Sequence, residues 1–582
     1  MSKADKFDKV TDLAKRRGFF WPSYELYGGV GGFIDYGPLG TLMKRKIEEK
    51  WIETFVKGEG LLLIDTPVVT PAVVFEASGH TTHFTDPVSR CLRCGRKWRA
   101  DQLLEEQAHI CGEGLSLIEL GTLLKEKQVH CPECGGELEE PQPFNELFKT
   151  TIGPYSESVG YGRPETAQGI FVNFKRLYEL AKNKIPFGVA QVGRCLRNEI
   201  SPRQGPIRLR ELTIMEFEFF FDAEAPCERI KAVEAERLRL LHEALVKRGA
   251  NQPEELTVKE ALERGYIRSP WNAYFMVLAK RFLAELGIPN ESQAFKEKLA
   301  GERAHYSAQT YDQVVELSRW GLVEVSGHAW RTDYDLKMHM VRSGEDLRAF
   351  VPYESPRRVK RLSVIACAEA LSKSFGEEAT YITRLLELTP PAQIQAAFQE
   401  KGYFDLKGDG KDYRILPSHL QLQEVEIEET GKRFIPHVAE PSFGSDRIFY
   451  AVLENAYTER EGRVVLRLPR TVAPFNVAVF PLASKDGLPE KAEELYRELK
   501  KTGFDVIYEV AGSIGRRYAR ADEVGVPIAV TVDYRTMEDG TVTLRNRDTW
   551  SQVRAAIEDL PARISRYLRG ELGFDDLGSL VS

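Results

Sequence analysis

The chain has 582 residues, enough for about three to four domains that each bury a core. Its composition, 42% hydrophobic and 29% charged, is that of an ordinary globular protein, and a net charge of −7 excludes a bulk polyanion binder while allowing a local basic face. The sequence has no run of about 18 apolar residues and no apolar stretch behind Met1, so neither a membrane span nor a signal peptide is expected; eight cysteines in so long a chain fit a reducing cytosol, not a disulfide scaffold.

In chain order, residues 38–57 predict an amphipathic helix. Pro38 stands at its start, and Leu39, Leu42, Met43, Ile47, Trp51 and Phe55 recur at helical spacing. It should pack behind a strand in GLLLIDTPVVTP, residues 60–71. Residues 88–140 look inserted, set apart by cysteines and charge. Cys91 with Cys94, and Cys131 with Cys134, form two C-x2-C knuckles, the second followed by Gly135 and Gly136. That pattern suits a zinc ribbon, four thiolates in a closed tetrahedral site whose metal is structural. The 36 residues between the knuckles exceed the usual spacing, which keeps Cys111, His109 and His130 as lesser ligand candidates. Knuckles that have lost their metal, or act in redox, are the alternative. Cys195, Cys227 and Cys367 read as small apolar residues.

Residues 194–221, RCLRNEISPRQGPIRLRELTIMEFEFFF, predict a hairpin with a Pro- and Gly-containing tip at 201–206. Strand alternation puts Arg197 and Glu199 on one face of the first arm, and Arg208, Leu212 and Glu216 on one face of the second. Burying two arginines and two carboxylates together is costly unless something compensates them. Bound phosphates and an ammonium would do so; a solvated edge hairpin is the plainer reading. Residues 225–300 read mostly helical, in ERIKAVEAERLRLLHEALVKRG and WNAYFMVLAKRFLAELG, and interrupt the surrounding pattern. Residues 376–435 are irregular and turn-rich, with TPPAQ and LKGDGKDY. From Pro469 strands and helices alternate: VAVFPL, a helix at 489–502, FDVIYEV, a helix from Ser513, VPIAVTVD, VTLRNR and a terminal helix from Thr549. They form a separate α/β domain of about 110 residues.

These stretches carry a family resemblance. RNE, the loop and RLRE before MEFEFF resemble motif 2 of the class II aminoacyl-tRNA synthetases, and EPSFGSDR at 440–447 resembles motif 3. Residues 60–71 resemble motif 1, with Pro67 or Pro71 as its proline. RPETAQGIFVNF at 163–174, YGGVGGFIDYGPLG at Tyr27, EASGH at Glu76, RADQLL at Arg99 and EVSGHAWRTDYDL at Glu324 are similar to the glycyl-tRNA synthetases of the homodimeric type. The set keeps the family's order across roughly residues 24–555, which a chance match of single motifs would not do.

The resemblance implies an α+β class II synthetase catalytic core, an antiparallel sheet with helices, carrying an inserted zinc ribbon, a helical insertion and a C-terminal α/β anticodon-binding domain. Core segments are expected at 1–87, 141–224 and 301–468, the ribbon at 88–140, the helical insertion at 225–300, a further insertion at 376–435 and the anticodon-binding domain at 469–582. It implies ATP-dependent activation of glycine to glycyl-adenylate and transfer to tRNA(Gly), with ATP, Mg²⁺ and structural Zn²⁺ as cofactors, a homodimer, a cytoplasmic setting and no membrane. Such an in-line displacement at phosphorus is catalysed by positioning and charge, not by a protein nucleophile.

By the same resemblance Arg197 and Arg447 are the catalytic arginines, Arg197 at the α-phosphate and the incoming carboxylate, Arg447 with Arg208 at the γ-phosphate end of a bent ATP. Asn198, Glu199, Leu212, Glu324 and Gly444 complete the ATP site, with Glu199 near the adenine amino group and Leu212 where an aromatic ring usually stacks. Glu324 and Glu440 are the Mg²⁺ candidates. Glu165 and Glu216 surround the glycine ammonium, with Arg331, Glu440, Ser442 and Arg99 as further glycine contacts. Motif 3 reads GSDR where GLGR is common, so Asp446 would pair with Arg447 or alter its reach. His80 and His83 belong to an active-site loop or to plain packing, not to a metal site. In the last domain Arg516, Arg517 and Arg520 cluster at a helix start, suited to tRNA phosphates or simply to a solvated face, with Arg545 and Arg547 on a strand adding to that surface.

Two other readings compete. A synthetase-like scaffold without catalysis would have lost its phosphate arginines and metal carboxylates, whereas Arg197, Glu199, Arg208, Glu324, Glu440 and Arg447 are all present. An enzyme for threonine, serine or proline is opposed by RPETAQGIF and by an acidic pocket; the smallest amino acid is selected by lack of room, and needs no editing domain.

Overall fold

The computed structural model describes every residue except 1, 2, 113, 155, 156, 201, 203, 204, 409, 410 and 582, which include half of the predicted hairpin tip and part of LKGDGKDY. Its centre is a nine-stranded sheet. In chain order the strands are β1 (Leu62–Leu63), β2 (Phe187–Leu196), β3 (Glu211–Phe221), β4 (Arg237–Leu241), β5 (Glu254–Thr257), β6 (Gln293–Glu297), β7 (Gln309–Leu317), β8 (Gly321–Thr332) and β9 (His437–Gly444). In space they run β5-β4-β6-β7-β8-β9-β3-β2-β1. All pairs are antiparallel except β1 with β2 and β4 with β6.

Alternation divides β3 between two environments. Met215, Phe217 and Phe219 point to the main apolar core, under helices α1 (Pro38–Trp51), α2 (Pro270–Glu285) and α3 (Ser445–Ala456). Trp51 and Phe55 pack there against Phe217 and Phe443, and the predicted helix does continue, in wider turns, to Lys57. Leu212, Ile214 and Glu216 face the other way, onto a cavity.

The predicted helical insertion at 225–300 needs correction. The first expected helix is a short 3-10 turn at Glu228–Ala232, then β4, then a single turn at Glu243–Val246. This segment supplies β4, β5 and β6 to the central sheet, and only α2 is a long helix. Within it RLRLL has period two: Leu238 and Leu240 are buried, while Arg237 on the outer face bonds Glu255 across β5 at 2.8 Å. A sheet edge offering hydrogen bonds and an apolar face overrode helix propensity.

The insertion expected at 376–435 starts earlier. A ribbon of Ala349–Ala366 and Leu420–Phe434 carries three helices and a small hairpin, with their own core of Leu371, Ile382, Leu386, Ile394 and Ile415. The cysteine-bearing segment forms a three-stranded sheet, Thr85–Arg90 between Lys97–Arg99 and Gln142–Asn145, with helices Ala100–Ala108 and Leu117–Glu126. The C-terminal domain is a six-stranded sheet with separate apolar clusters. Its predicted terminal helix begins only at Leu560, since Gln552–Ala556 is a strand. Leu468, Val472 and Ala473 pack in the central core, which moves the expected boundary at 469 toward the first strand, Val477–Pro481. Among the described residues no helix is long and apolar enough to cross a membrane.

Candidate active site

A cavity of about 620 Å³ opens over the face of β3, β7, β8 and β9 that points away from the helices. Register places its floor. Glu216 of β3 lies opposite Ser442 of β9, which in turn faces Gly327 of β8, and Glu440 lies opposite Ala329. Glu440, Ser442 and Gly444 share the cavity face by alternation.

At one end the residues expected around glycine form a buried ionic network. The fully buried Arg331 donates to Asp335 at 2.8 and 2.9 Å, to Glu440 at 2.7 Å and to Glu165 at 3.2 Å, with its guanidinium 3.6 Å from the ring centre of Tyr306. Glu216 accepts from the Thr166 amide, from Thr166 Oγ1 at 2.6 Å and from Ser442 Oγ at 2.7 Å. Glu218, two residues along the same face of β3, is fully buried, and neither of its oxygens has a hydrogen-bond partner. Four carboxyl groups, Glu165, Glu218, Asp335 and Glu440, thus lie within electrostatic reach of one guanidinium, and Glu216 adds its charge beside Glu218 and Glu440. Burial, added to the repulsion of neighbouring carboxylates, pushes Glu218 and Glu440 well above the usual carboxylate range. Glu165 goes the other way: burial opposes ionisation, but Arg331 and His80 hold it well below that range. Carboxyl groups that outnumber the one guanidinium among them favour a small cationic ligand.

At the other end Arg197, Arg208 and Arg447 line the cavity with Glu199, Leu212, Glu324 and Gly444. Arg197 and Glu199 lie past the end of β2, and Arg208 lies before β3, so strand alternation is not what brings them together. Arg197 Nε donates to the Pro164 carbonyl at 3.1 Å; Arg208 Nε is 3.4 Å from Glu199. Arg447 is held by the carbonyls of Ile207 and Glu324 at 2.8 and 3.0 Å and by Glu324 Oε2 at 3.1 Å. Burial disfavours the Glu324 charge, yet Lys298, Arg447 and Arg197 hold its pKa down to about 2. Asp312 beside it is pushed up to about 7 by burial and by Glu324.

Several expectations change here. Glu440, expected as a Mg²⁺ candidate with Glu324, lies across from Ala329, five residues along β8, roughly 16 Å of strand away, and is bonded to Arg331. Asp446 neither pairs with Arg447 nor turns it, being bound to Tyr36, to the Thr213 amide at 2.6 Å and to Lys44 at 3.3 Å. Asn198 is half-buried and outside the cavity lining. Arg99 lines the cavity, but Asp86 sits 2.7 Å from its guanidinium and Asp101 takes its Nε at 3.1 Å. His80 and His83 both line the cavity; His80 is 3.5 Å from Glu165 and bonds Ser78 at 2.8 Å. Sequence reasoning missed Asp335, Tyr306, Lys298, Asp312 and Glu146. Only Asp335 had a local signal, four residues after Arg331 in TDYDL.

The four knuckle cysteines converge. Cys91 Sγ is 3.5 Å from Cys134 Sγ, and Cys94 Sγ is 3.7 Å from Cys131 Sγ, with all four within 4.8 Å of one another. A tetrahedral Zn–S₄ site needs sulfurs roughly 3.8 Å apart, so the donor set fits zinc. Cys111, His109 and His130 stand outside this group. In the C-terminal domain the basic cluster divides. Arg517 is buried and donates to the Pro481 carbonyl at 2.6 Å; Arg520 is on Glu509 at 2.7 Å; Arg516 is exposed. Arg545 and Arg547 are buried, paired with Asp522 and Asp548 at 2.9 Å, and belong to no RNA surface.

Comparison with known proteins agrees at both scales. The family described as an anticodon binding domain matches residues 476–567. Over its length the chain is similar to the glycine–tRNA ligase of Aeropyrum pernix, 48% identical over 99% of each chain. It is 46% identical to that of Pyrococcus horikoshii over 98% of this chain and 100% of the relative. To that of Methanothermobacter thermautotrophicus it is 43% identical, over 97% and 99%.

Proposed function

The chain belongs to the glycine–tRNA ligase family, and on that premise we propose that the cavity over β3, β8 and β9 is where glycine meets ATP, glycine at the carboxylate-rich end and the nucleotide among the arginines. The protein is an ATP-dependent ligase that activates glycine to glycyl-adenylate and transfers it to tRNA. One observation carries the division of the cavity: Glu165, Glu216 and Glu440 line one end, two of them held by Arg331, and three arginines line the other.

Glu216, Glu165 and Glu440 would receive the ammonium, and Ser442 would fix Glu216 from the far side. Glycine has no side chain to grip, so exclusion by the packed floor supplies selectivity. Arg197, anchored through Nε, presents its remaining nitrogens to the α-phosphate as the glycine carboxylate attacks in line and pyrophosphate leaves. Arg208 and Arg447 would hold the outer phosphates, and Glu199 the adenine amino group. For Mg²⁺ the fitting residues are Glu324, held ionised, and the adjoining Asp312; the ion would screen the phosphates there. Zinc on the four cysteines would keep the ribbon folded and take no part in the chemistry. Exposed Leu63 and Val69, in the segment resembling motif 1, and Val73 just after it support a homodimer through that surface. The cytoplasmic setting rests on the family's role in translation.

Pyrophosphate–ATP exchange tests the division. Glycine alone among the twenty amino acids should support it, and Arg197→Ala should cut single-turnover adenylate formation by about 10² to 10³ in a folded protein. Comparable exchange with alanine or serine, or an Arg197→Ala rate within a few-fold of the parent, would move the site elsewhere.

A further inference from the structure

Beside the arginine end of the cavity, outside its lining, a third carboxyl joins Asp86 and Glu199. One oxygen each from Asp86, Glu146 and Glu199 lies within 4.8 Å of the other two. Glu146 is 7% exposed, and its Oε1 has no hydrogen-bond partner. Its main chain is tied to both neighbours' segments: its N–H donates to the Phe84 carbonyl at 3.1 Å, and its carbonyl accepts from the Asn198 amide at 2.7 Å. The backbone therefore fixes Glu146 between the strand that carries Asp86 and the loop that carries Glu199. Asp86 and Glu199 line the cavity; Glu146 sits behind them.

Three carboxylates at this separation repel one another and need either a proton or a cation among them. The cations that face the group are Arg99 on Asp86 at 2.7 Å, Arg208 at 3.4 Å from Glu199, and Arg197, within electrostatic reach of Glu146. Three guanidinium charges this close disfavour a further metal ion. A proton remains. Burial, then a hydrogen bond with Asp86 and the charge of Glu199, push Glu146 up to about 9 against the opposing effect of Arg197. A carboxylic acid kept neutral by its site becomes a hydrogen-bond donor.

We propose that Glu146 is a positioning residue for the nucleotide: protonated, it donates to Asp86 and presents no charge to Glu199, which leaves the Glu199 carboxylate facing the cavity where it can accept from the adenine amino group. The proposal rests on the placement of Glu199 at adenine. Loss of the Glu146 proton puts three like charges together, displaces Glu199 and weakens ATP binding before it affects chemistry.

The test is KM for ATP in glycine-dependent exchange, followed from neutral pH to about 10, for the parent, E146Q and E146A. A glutamine amide has two donors and no proton to lose, so E146Q should restore what E146A loses. E146A should raise KM for ATP about tenfold at neutral pH, the worth of one buried hydrogen bond, with a much smaller change in kcat. The parent's KM should climb through about pH 9 while that of E146Q stays flat relative to it. If E146A does not fold, the comparison of parent with E146Q decides alone. Identical pH profiles for those two, or an E146Q as impaired as E146A, would overturn the proposal. So would Mn²⁺ binding without ATP that E146Q abolishes, since a cation would then hold the cluster. Inosine triphosphate, which lacks the amino group, separates the underlying reading: if the parent uses it as well as ATP, the placement of Glu199 fails whatever Glu146 does.

Discussion

Arg331 closes Nε and Nη2 on the two oxygens of Asp335, at 2.8 and 2.9 Å, across the junction between β8 and the helix Tyr334–Ser343. This bidentate grip fixes the plane of the guanidinium, and the plane decides where Nη1 and Nη2 meet Glu440 and Glu165. Asp335 does not line the cavity, yet it orients the group around which the carboxylates gather.

Asp335→Asn should therefore raise KM for glycine far more than KM for ATP. Removing one partner of a buried charge pair costs about 3–5 kcal/mol, so the melting temperature should fall as well. Exchange kinetics with each substrate varied in turn, beside a thermal melt, check both. Equal changes in the two KM values would mean that Asp335 serves only the fold.

Protein purified without added metal should contain about one zinc per chain. Cys134→Ser should lose it and loosen the small core of Trp98, Leu103, Leu104 and Leu124, leaving the central sheet intact. Elemental analysis with protease mapping of residues 85–145 reads the result. Four freely titrating thiols and no metal would mark the knuckles as vestigial.

Removal of the chain from Phe475 onward should spare glycine-dependent exchange and abolish most glycyl-tRNA formation. The cut lies beyond Val472 and Ala473, which the central core needs. Charge pairs that it severs, Arg17 with Glu523 and Lys46 with Asp505 at 2.6 Å, lie at or near the surface and are worth about 0–1 kcal/mol each. A folded truncation that charges tRNA at the parent rate would remove the RNA-binding role from this domain. Within the full chain Arg516→Glu should weaken tRNA binding in a salt-sensitive way.

Acid should destabilise the fold through two buried histidines. Burial lowers the pKa of His328 to about 3 and that of His339 to about 4. Unfolded, each imidazole takes up its proton near pH 6.5, so the unfolded chain binds more protons below that value. Their stabilisation is fully present above about pH 6.5 and is lost as pH falls toward the folded values, by roughly 2 kcal/mol each at pH 5. Thermal melts from pH about 7 to 5 should show the loss, reduced in His339→Gln. A flat profile would contradict it.

Sequence alone went far where the information was local. The amphipathic spacing of residues 38–57 gave α1 its length and its buried face, and the two knuckles brought their own four sulfurs together. Arg197, Arg208, Arg447, Glu165, Glu216 and Ser442 stood in short motifs, and the fold brings them to one cavity. Tertiary structure decided the rest, because neighbours distant in the chain set both conformation and charge. RLRLL became a strand because β5 and β6 lay on either side of it, and Arg517, Arg545 and Arg547 left the surface for carbonyls and carboxylates that no local pattern announces. Asp446 was claimed by Tyr36, Lys44 and Thr213, and Glu440 by Arg331. The protonation of Glu146 and Glu218 depends on burial and on carboxylates brought from other strands, and neither exists until the sheet has formed.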